Sequence, residues 1–230
     1  VLITGATGGL GEVLVRVFDN AGFRIVIHYL KNKKKAERLA RSLKNPCLSL
    51  SADLRDIHSV KRMVEIISSK MGGIDVLINN ASVTIDKLLL RCSEVEWDEV
   101  IDTNLKGVFI MTKAALPIMR DGGHIVNISS CSGLRGRQGQ AAYSASKAGI
   151  VGLSKSLARE LSPRGIKVNV VVPGYLPVGM GQMAPDAMKR AVEESTLKRL
   201  GSPEETARFV LFLVSTETVT GQVFTIDSRL

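Results

Sequence analysis

Eight residues near the start of the chain, Thr4-Gly5-Ala6-Thr7-Gly8-Gly9-Leu10-Gly11, constrain the fold more than any other stretch. They follow the apolar run Val1-Leu2-Ile3. They precede Val13, Leu14, Val17 and Phe18, which recur at helical spacing until Asn20-Ala21-Gly22 stops the helix. Strand, glycine-rich turn and helix, in that order, aim backbone N–H groups and a helix N-terminus at a pyrophosphate. Glycine is needed where the backbone turns tightly and phosphate must approach without a Cβ in the way. The pattern is G-x-x-x-G-x-G with an extra Gly8, not the commoner G-x-G-x-x-G. It predicts a dinucleotide held by Gly5, Thr7, Gly8, Gly9, Leu10 and Gly11.

The rest of the chain alternates in the same way. Strands are expected at 24–28, 47–50, 74–78, 123–128, 167–172 and 221–226. Helices are expected at 33–44, 57–71, from the Ser93/Glu96 capping box to Met119, from the Tyr143 region to about Leu161, at 186–198 and at 203–214. Right-handed crossovers turn such an alternation into a doubly wound parallel sheet of about seven strands with helices on both faces. No linker, repeat or low-complexity stretch divides residues 1–230, so a single Rossmann-type domain is expected. The Pro/Gly-rich segment from Pro173 to Gly181 is expected to form a mobile lid over substrate.

Composition narrows the class. Hydrophobic content of 45% and no long apolar run exclude a membrane span. Three scattered cysteines without metal spacing suit a reducing, cytoplasmic compartment and no metal site. The chain opens inside a strand without a methionine, as a trimmed N-terminus would. The net charge of +9 is dispersed apart from Lys31, Lys33, Lys34 and Lys35. No aromatic-interleaved basic stripe points to nucleic acid. A dinucleotide fold that prefers NAD(H) carries an acid near the end of its second strand. Here the strand runs into His28-Tyr29-Leu30-Lys31, and Lys31 favours a 2′-phosphate, so NADP(H) is preferred, with NAD(H) the alternative.

The reactive groups cluster between Ser130 and Lys147. Tyr143 and Lys147 stand four residues apart in an Ala-rich helical segment and so share one face. An ammonium beside a phenol is expected to lower the phenol's pKa, letting Tyr143 exchange a proton with a carbonyl oxygen. Alone, this spacing recurs by chance. His124, at a strand start, is expected to be structural, and Asn104 lies within the long helix.

Taken together, these motifs resemble the short-chain dehydrogenase/reductase family over essentially the whole chain. Thr4-Gly5-x-x-x-Gly9-x-Gly11 resembles its cofactor turn, and Asp53-Leu54 its adenine contact. Asn79-Asn80-Ala81 resembles the family's Asn-Asn-Ala-Gly, with Ser82 in place of the glycine. Asn104, Ser130, Tyr143 and Lys147 match its catalytic tetrad, with Ser130 and Tyr143 separated by 13 residues, and Pro173-Gly174 matches its turn beside the nicotinamide. The resemblance implies hydride transfer at a carbonyl or carbinol carbon. Tyr143 would be the general acid, Ser130 would bind the reacting oxygen, and Lys147 would tune Tyr143 and hold the ribose. Asn104 would bend its helix to expose a carbonyl and hold a water that relays protons to Lys147. It implies cofactor contacts at Asn80, Ala81, Ser82, Pro173, Gly174 and Leu176 as well. Three residues depart from the pattern: Gly8 where many NADP users carry a basic residue, Val178 where a threonine follows Pro-Gly, and Asp227-Ser228-Arg229 in place of Asp-Gly-Gly.

Within the family the stretch from Gly136 to Tyr175 looks most like the 3-oxoacyl-carrier-protein reductases of fatty acid synthesis. That implies NADPH-dependent reduction of a 3-oxoacyl thioester, an acidic acyl carrier protein docking at Arg120 and Arg164, and a homotetramer. A dehydrogenase of a free alcohol, sugar or quinone is the alternative, and a non-catalytic NADP sensor or scaffold the remote one.

Overall fold

The computed structural model describes residues 1–229. Seven parallel strands form one sheet in the order β3-β2-β1-β4-β5-β6-β7. They are β1 (Leu2–Ile3), β2 (Ile25–Tyr29), β3 (Cys47–Ser51), β4 (Ile74–Asn79), β5 (Met119–Ile128), β6 (Lys167–Pro173) and β7 (Val223–Ile226). Short β1 is the hub, with Ile3 facing Ile27 on one side and Ile78 on the other.

Alternate strand residues feed two cores, because successive side chains point to opposite faces. Ile3, Ile27, Ile78, Val126 and Val171 pack with Leu14 and Phe18 of α1 (Gly9–Asn20) and Val210 of α9 (Pro203–Leu213). Leu2, Val26, Leu77, Ile125 and Val168 pack on the other face. Their partners are Ile67 of α3 (Ile57–Met71), Met111 of α5 (Gly107–Ala115) and Ala158 of α7 (Ala141–Glu160). Helices on both faces explain why the central strands β1 and β2 are mostly apolar on both sides, while β3 at the edge alternates Leu with Ser.

Four boundaries differ from the sequence expectation, each for a local reason. Helix α2 (Lys33–Arg41) stops three residues early, because the buried Asp19 carboxylate accepts the N–H groups of Lys44 and Asn45 at 3.0 Å each. The helix expected from Ser93 to Met119 is divided. Helix α4 (Glu94–Ile101) passes through a wide π turn at Asp102–Lys106 into α5, then a tight turn at Leu116–Ile118 around Pro117. Proline lacks the N–H that would continue the helix, and β5 begins four residues sooner than expected. A short helix, α6 (Cys131–Arg135), follows β5 and has no amphipathic signal long enough to be seen in sequence. The helix after the Pro/Gly segment, α8 (Pro185–Glu194), ends before Lys198, which sits at φ +52°. Among the described residues no helix is long and apolar enough to cross a membrane, and no cluster of His, Cys, Asp and Glu could hold a metal.

Candidate active site

A cleft of about 860 Å³ opens along the carboxyl ends of the strands, across the point between β1 and β4 where strand order reverses. Open α/β sheets bind ligands there, since flanking connections leave in opposite directions. Gly5, Thr7, Gly8, Gly9, Leu10 and Gly11 all line it, as the sequence predicted. Gly5 has φ +61°, and a Cβ on it would lie 2.7 Å from the Ala81 Cα. On Gly11 a Cβ would lie 2.2 Å from the Gly5 carbonyl oxygen, so the turn tolerates no side chain at either position. No side chain caps the start of α1, which leaves its first-turn N–H groups for an anion in the cleft.

The turn is fastened from two sides. The Thr4 hydroxyl accepts the N–H groups of Asn80 (2.9 Å) and Ala81 (3.1 Å), and the Asn80 amide donates to the Thr4 and Gly5 carbonyls (2.9 and 3.2 Å). His28, fully enclosed at the end of β2, was not anticipated as a site residue. Its Nδ1 accepts the Gly5 N–H at 3.1 Å, which makes Nε2 the donor toward the Ala52 carbonyl at 3.0 Å. Burial lowers the His28 pKa and keeps this tautomer neutral. Only its place beside the glycine turn could have signalled this role.

At one end the cleft is bounded by Lys31, Asp53, Leu54 and Arg55. Lys31 makes no ion pair among the described residues. Asp53 is held by a two-pronged ion pair with Arg55 (2.7 Å at its shortest), which is the main force lowering its pKa. At the other end β5 delivers Ser130, and the first turns of α7 deliver Tyr143 and Lys147, all three on the cleft wall. The Ser129 hydroxyl donates to the Lys147 carbonyl at 2.8 Å. Gly133 lets α6 lie directly on α7, since a Cβ there would sit 2.7 Å from the Lys147 carbonyl carbon. Lys147 Nζ donates to the Ile128 carbonyl at 2.9 Å and stands 5.6 Å from the Tyr143 ring centre.

The electrostatics differ from expectation. The Tyr143 phenol is raised rather than lowered, because burial outweighs the hydrogen bonding of Ser130 and the proximity of Ser82. Burial also brings the Lys147 ammonium down to about 8. Both groups lie in a dry wall, where desolvation penalises each charge more than the other group relieves it. Ser82 lines the cleft with its hydroxyl buried and without a hydrogen-bond partner.

Asn104 is not brought to the cleft. It sits in the π turn, wholly buried, with Oδ1 accepting the Val83 N–H (2.8 Å) and Nδ2 donating to the Val83 carbonyl (2.8 Å) and the Ser146 hydroxyl (3.1 Å). The expected bend in the helix is present, and the side-chain amide pins the loop after β4 to α7. Pro173, Gly174 and Leu176 line the cleft as expected. The segment beyond them lies on the glycine turn, and Val178 and Gly179 fill the space that a Cβ on Gly9 would enter.

Arg120 and Arg164 are likewise elsewhere. Both precede or open strands at the amino edge of the sheet, whereas Ser130 follows the carboxyl end of β5. Arg120 pairs with Asp75 at 3.2 Å. Arg164 is committed inside the fold, donating to Asp121 and to the Leu116 and Met119 carbonyls (2.8, 2.8 and 2.5 Å). Two further groups near the site went unforeseen. Asn127 on β5 bonds Asn79 and Ser154 (2.8 Å each) beneath the floor. Arg229 clips Asp227 (2.7 Å), which in turn accepts the Cys131 thiol at 3.0 Å beside Ser130.

The comparisons with known proteins agree with this geometry. Residues 5–228 match the family model described as "Enoyl-(Acyl carrier protein) reductase". The chain is 41% identical over 240 residues to the 3-oxoacyl-acyl-carrier-protein reductase FabG of Thermotoga maritima, covering all of this chain and 96% of that protein. It is 40% identical to the protein of the same name from Staphylococcus aureus, covering 98% and 95%. Among solved structures, a short-chain dehydrogenase/reductase of Brucella melitensis, titled glucose/ribitol dehydrogenase, superimposes with a TM-score of 0.94 at 30% identity over 99% of this chain and 94% of that one. A blue fluorescent protein from a metagenomic library, solved in complex with NADPH, does so with a TM-score of 0.94 at 31% identity over 99% and 96%. A nucleotide cleft at the strand-order reversal, a Ser–Tyr–Lys cluster at its far end and relatives along the full length leave one assignment: the chain belongs to the short-chain dehydrogenase/reductase family of NAD(P)-dependent oxidoreductases.

Proposed function

We propose that the protein acts as one domain that reduces the 3-oxo group of an acyl thioester on acyl carrier protein, with NADPH, in fatty acid synthesis. The observation that carries this reading is the meeting of Ser130, Tyr143 and Lys147 in one cleft wall, in a chain 40–41% identical over nearly its whole length to proteins of that name. The family model's description names reduction of a carbon–carbon double bond instead. Two hydroxyls side by side, Ser130 and Tyr143, suit the oxygen of a ketone better than an alkene carbon. Fatty acid synthesis also suits three free thiols, which fit a reducing, cytoplasmic compartment.

The glycine turn and the uncapped start of α1 fit a pyrophosphate, Asp53 and Leu54 an adenine, and Asn80, Ala81, Pro173, Gly174 and Leu176 the nicotinamide half. Lys31, unpaired at the adenine end, is placed for a 2′-phosphate, although Gly8 adds no second cation. A bound reduced nicotinamide supplies hydride to the carbonyl carbon. The ketone oxygen then lies between Ser130 Oγ, which donates a hydrogen bond, and Tyr143 Oη, which gives up its proton. A raised phenol pKa keeps that proton on Tyr143 at neutral pH. Lys147, still charged there, stabilises the phenolate left behind. Asn104 acts in this scheme by holding Val83 and Ser146, and so the first turns of α7, in place.

Initial rates with acetoacetyl-carrier protein test the proposal, with NADPH and NADH compared at equal concentration. Turnover with NADPH is expected to exceed turnover with NADH at least tenfold. No turnover with either cofactor, in a preparation that oxidises a free polyol such as ribitol, would replace the thioester by a sugar alcohol. Apolar side chains exposed at Leu89, Leu90, Val95 and Phe109, and separately at Phe212, are the surfaces on which we place the contacts of a homotetramer.

A further inference from the structure

The substrate end of the cleft carries a basic rim that the Ser–Tyr–Lys chemistry does not use. Arg137 stands on the loop between α6 and α7, and Arg190 on α8, and both line the cleft. Neither makes an ion pair among the described residues. Both lie near Tyr175, whose phenol burial raises and these two cations draw back down. Tyr175 itself is fixed, donating to the Gly181 carbonyl (2.8 Å) and close to that of Ala184 (3.2 Å).

The rim is built, not loose. The Lys87 N–H donates to the Gly139 carbonyl at 2.8 Å, tying the Arg137 loop to the segment after β4. Gln140 locks the same loop, donating to Asp86 (2.8 Å) and accepting from the Ser132 hydroxyl (2.9 Å). Of the acids nearby, Asp227 is paired with Arg229 and Glu194 reaches Arg229 at longer range, while Asp86 is hydrogen-bonded by the neutral Gln140 and Thr84 and keeps its charge. Arg137 and Arg190 thus stand on the cleft wall without an ion-pair partner among the described residues.

We propose that Arg137 and Arg190 form a clamp for the phosphate on the arm that carries the acyl thioester. This rests on the thioester reading above and concerns the arm, not the surface of the carrier that Arg120 and Arg164 were expected to meet. Two guanidiniums present paired N–H donors that match phosphate oxygens, which a lysine rim would not do. A phosphate held at the mouth fixes the arm and leaves the 3-oxo group to reach Ser130 and Tyr143. The same phosphate occurs on the arm of a carrier protein and on that of coenzyme A.

The test compares acetoacetyl-4′-phosphopantetheine with acetoacetyl-pantetheine, which differ only in the terminal phosphate. For the native protein kcat/KM is expected to favour the phosphorylated thioester about tenfold or more, through KM, with the ratio shrinking as salt rises. In Arg137→Gln/Arg190→Gln the ratio should fall toward one, and in Arg137→Glu/Arg190→Glu below one. A ratio near one in the native protein, or one that survives both double variants, overturns the clamp while leaving thioester reduction intact. No reduction of either thioester would overturn the thioester reading and the clamp with it. With acetoacetyl-carrier protein, a matching rise in KM assigns the clamp to the carrier arm. An effect confined to phosphopantetheine assigns it to free thioesters of the coenzyme A kind.

Discussion

Lys147 shows how a buried charged residue can weaken the fold that holds it. Its native pKa of about 8 lies below the 10.5 of an exposed lysine. Between those values the unfolded chain binds a proton that the native state has released, so this group's contribution makes stability rise with pH across that window. Below pH 8 the full penalty stands, about 3 kcal/mol. Lys147→Met is therefore expected to raise the melting temperature at pH 7 by several degrees, even with the bond to Ile128 lost, and to gain less by pH 10. The same change should lower kcat at least a hundredfold. Differential scanning calorimetry at the two pH values, with initial rates, checks both. Reduction by the native protein should decline as pH rises through about 8, when the ammonium that stabilises the Tyr143 phenolate is lost. A rate flat to pH 9.5 would contradict that role. At the opposite end of the cleft, Lys31→Ala should raise KM for NADPH about tenfold and leave KM for NADH within twofold, as for one exposed charge-assisted contact. Equal effects on the two cofactors would separate Lys31 from the 2′-phosphate.

Among the elements, α6 and the π turn decide whether the reactive side chains meet. Ser130 and Tyr143 leave different elements, and their separation depends on how closely α6 lies on α7. Gly133 is the contact that permits it. Gly133→Ala should push α6 outward, cutting kcat/KM by more than tenfold while fluorescence titration shows NADPH binding little changed. Activity equal to that of the native protein would mean that the helix pair absorbs the methyl elsewhere. The π turn acts from behind: it turns the Asn104 amide onto Val83 and Ser146, where three hydrogen bonds join the loop after β4 to the Tyr143 helix.

For the whole molecule, the exposed apolar side chains are the unexplained surface. Leu90 is fully exposed and Val95 is 77% exposed, on a face that also carries Trp97 and Phe109. Such a patch is costly in water and is expected to be covered by another copy. Leu90→Asp/Val95→Asp should reduce a tetramer to a smaller species in light scattering, without unfolding it. An unchanged mass would move the interface to Phe212 and β7.

Much of this molecule is legible in its amino-acid sequence alone. The alternation of apolar runs and amphipathic helices determines the doubly wound sheet, because each segment's period follows from its own residues. The glycine turn and the Tyr143–Lys147 pair could be found for the same reason, since spacing within one element places them locally, whereas Ser130, on another element, was placed by the family resemblance. What the tertiary structure alone decided depends on burial and on neighbours distant in sequence. It reversed the expected direction at Tyr143, because desolvation is set by what packs around a group. It turned the Asn104 amide onto Val83 and Ser146, and it put Arg120 and Arg164 at the amino edge of the sheet. It also made His28 a brace for Gly5, and brought Arg137 and Arg190, 53 residues apart in the chain, to one rim. Sequence spacing carries no record of which strand end a side chain will share, and that is where partners and pKa values are settled.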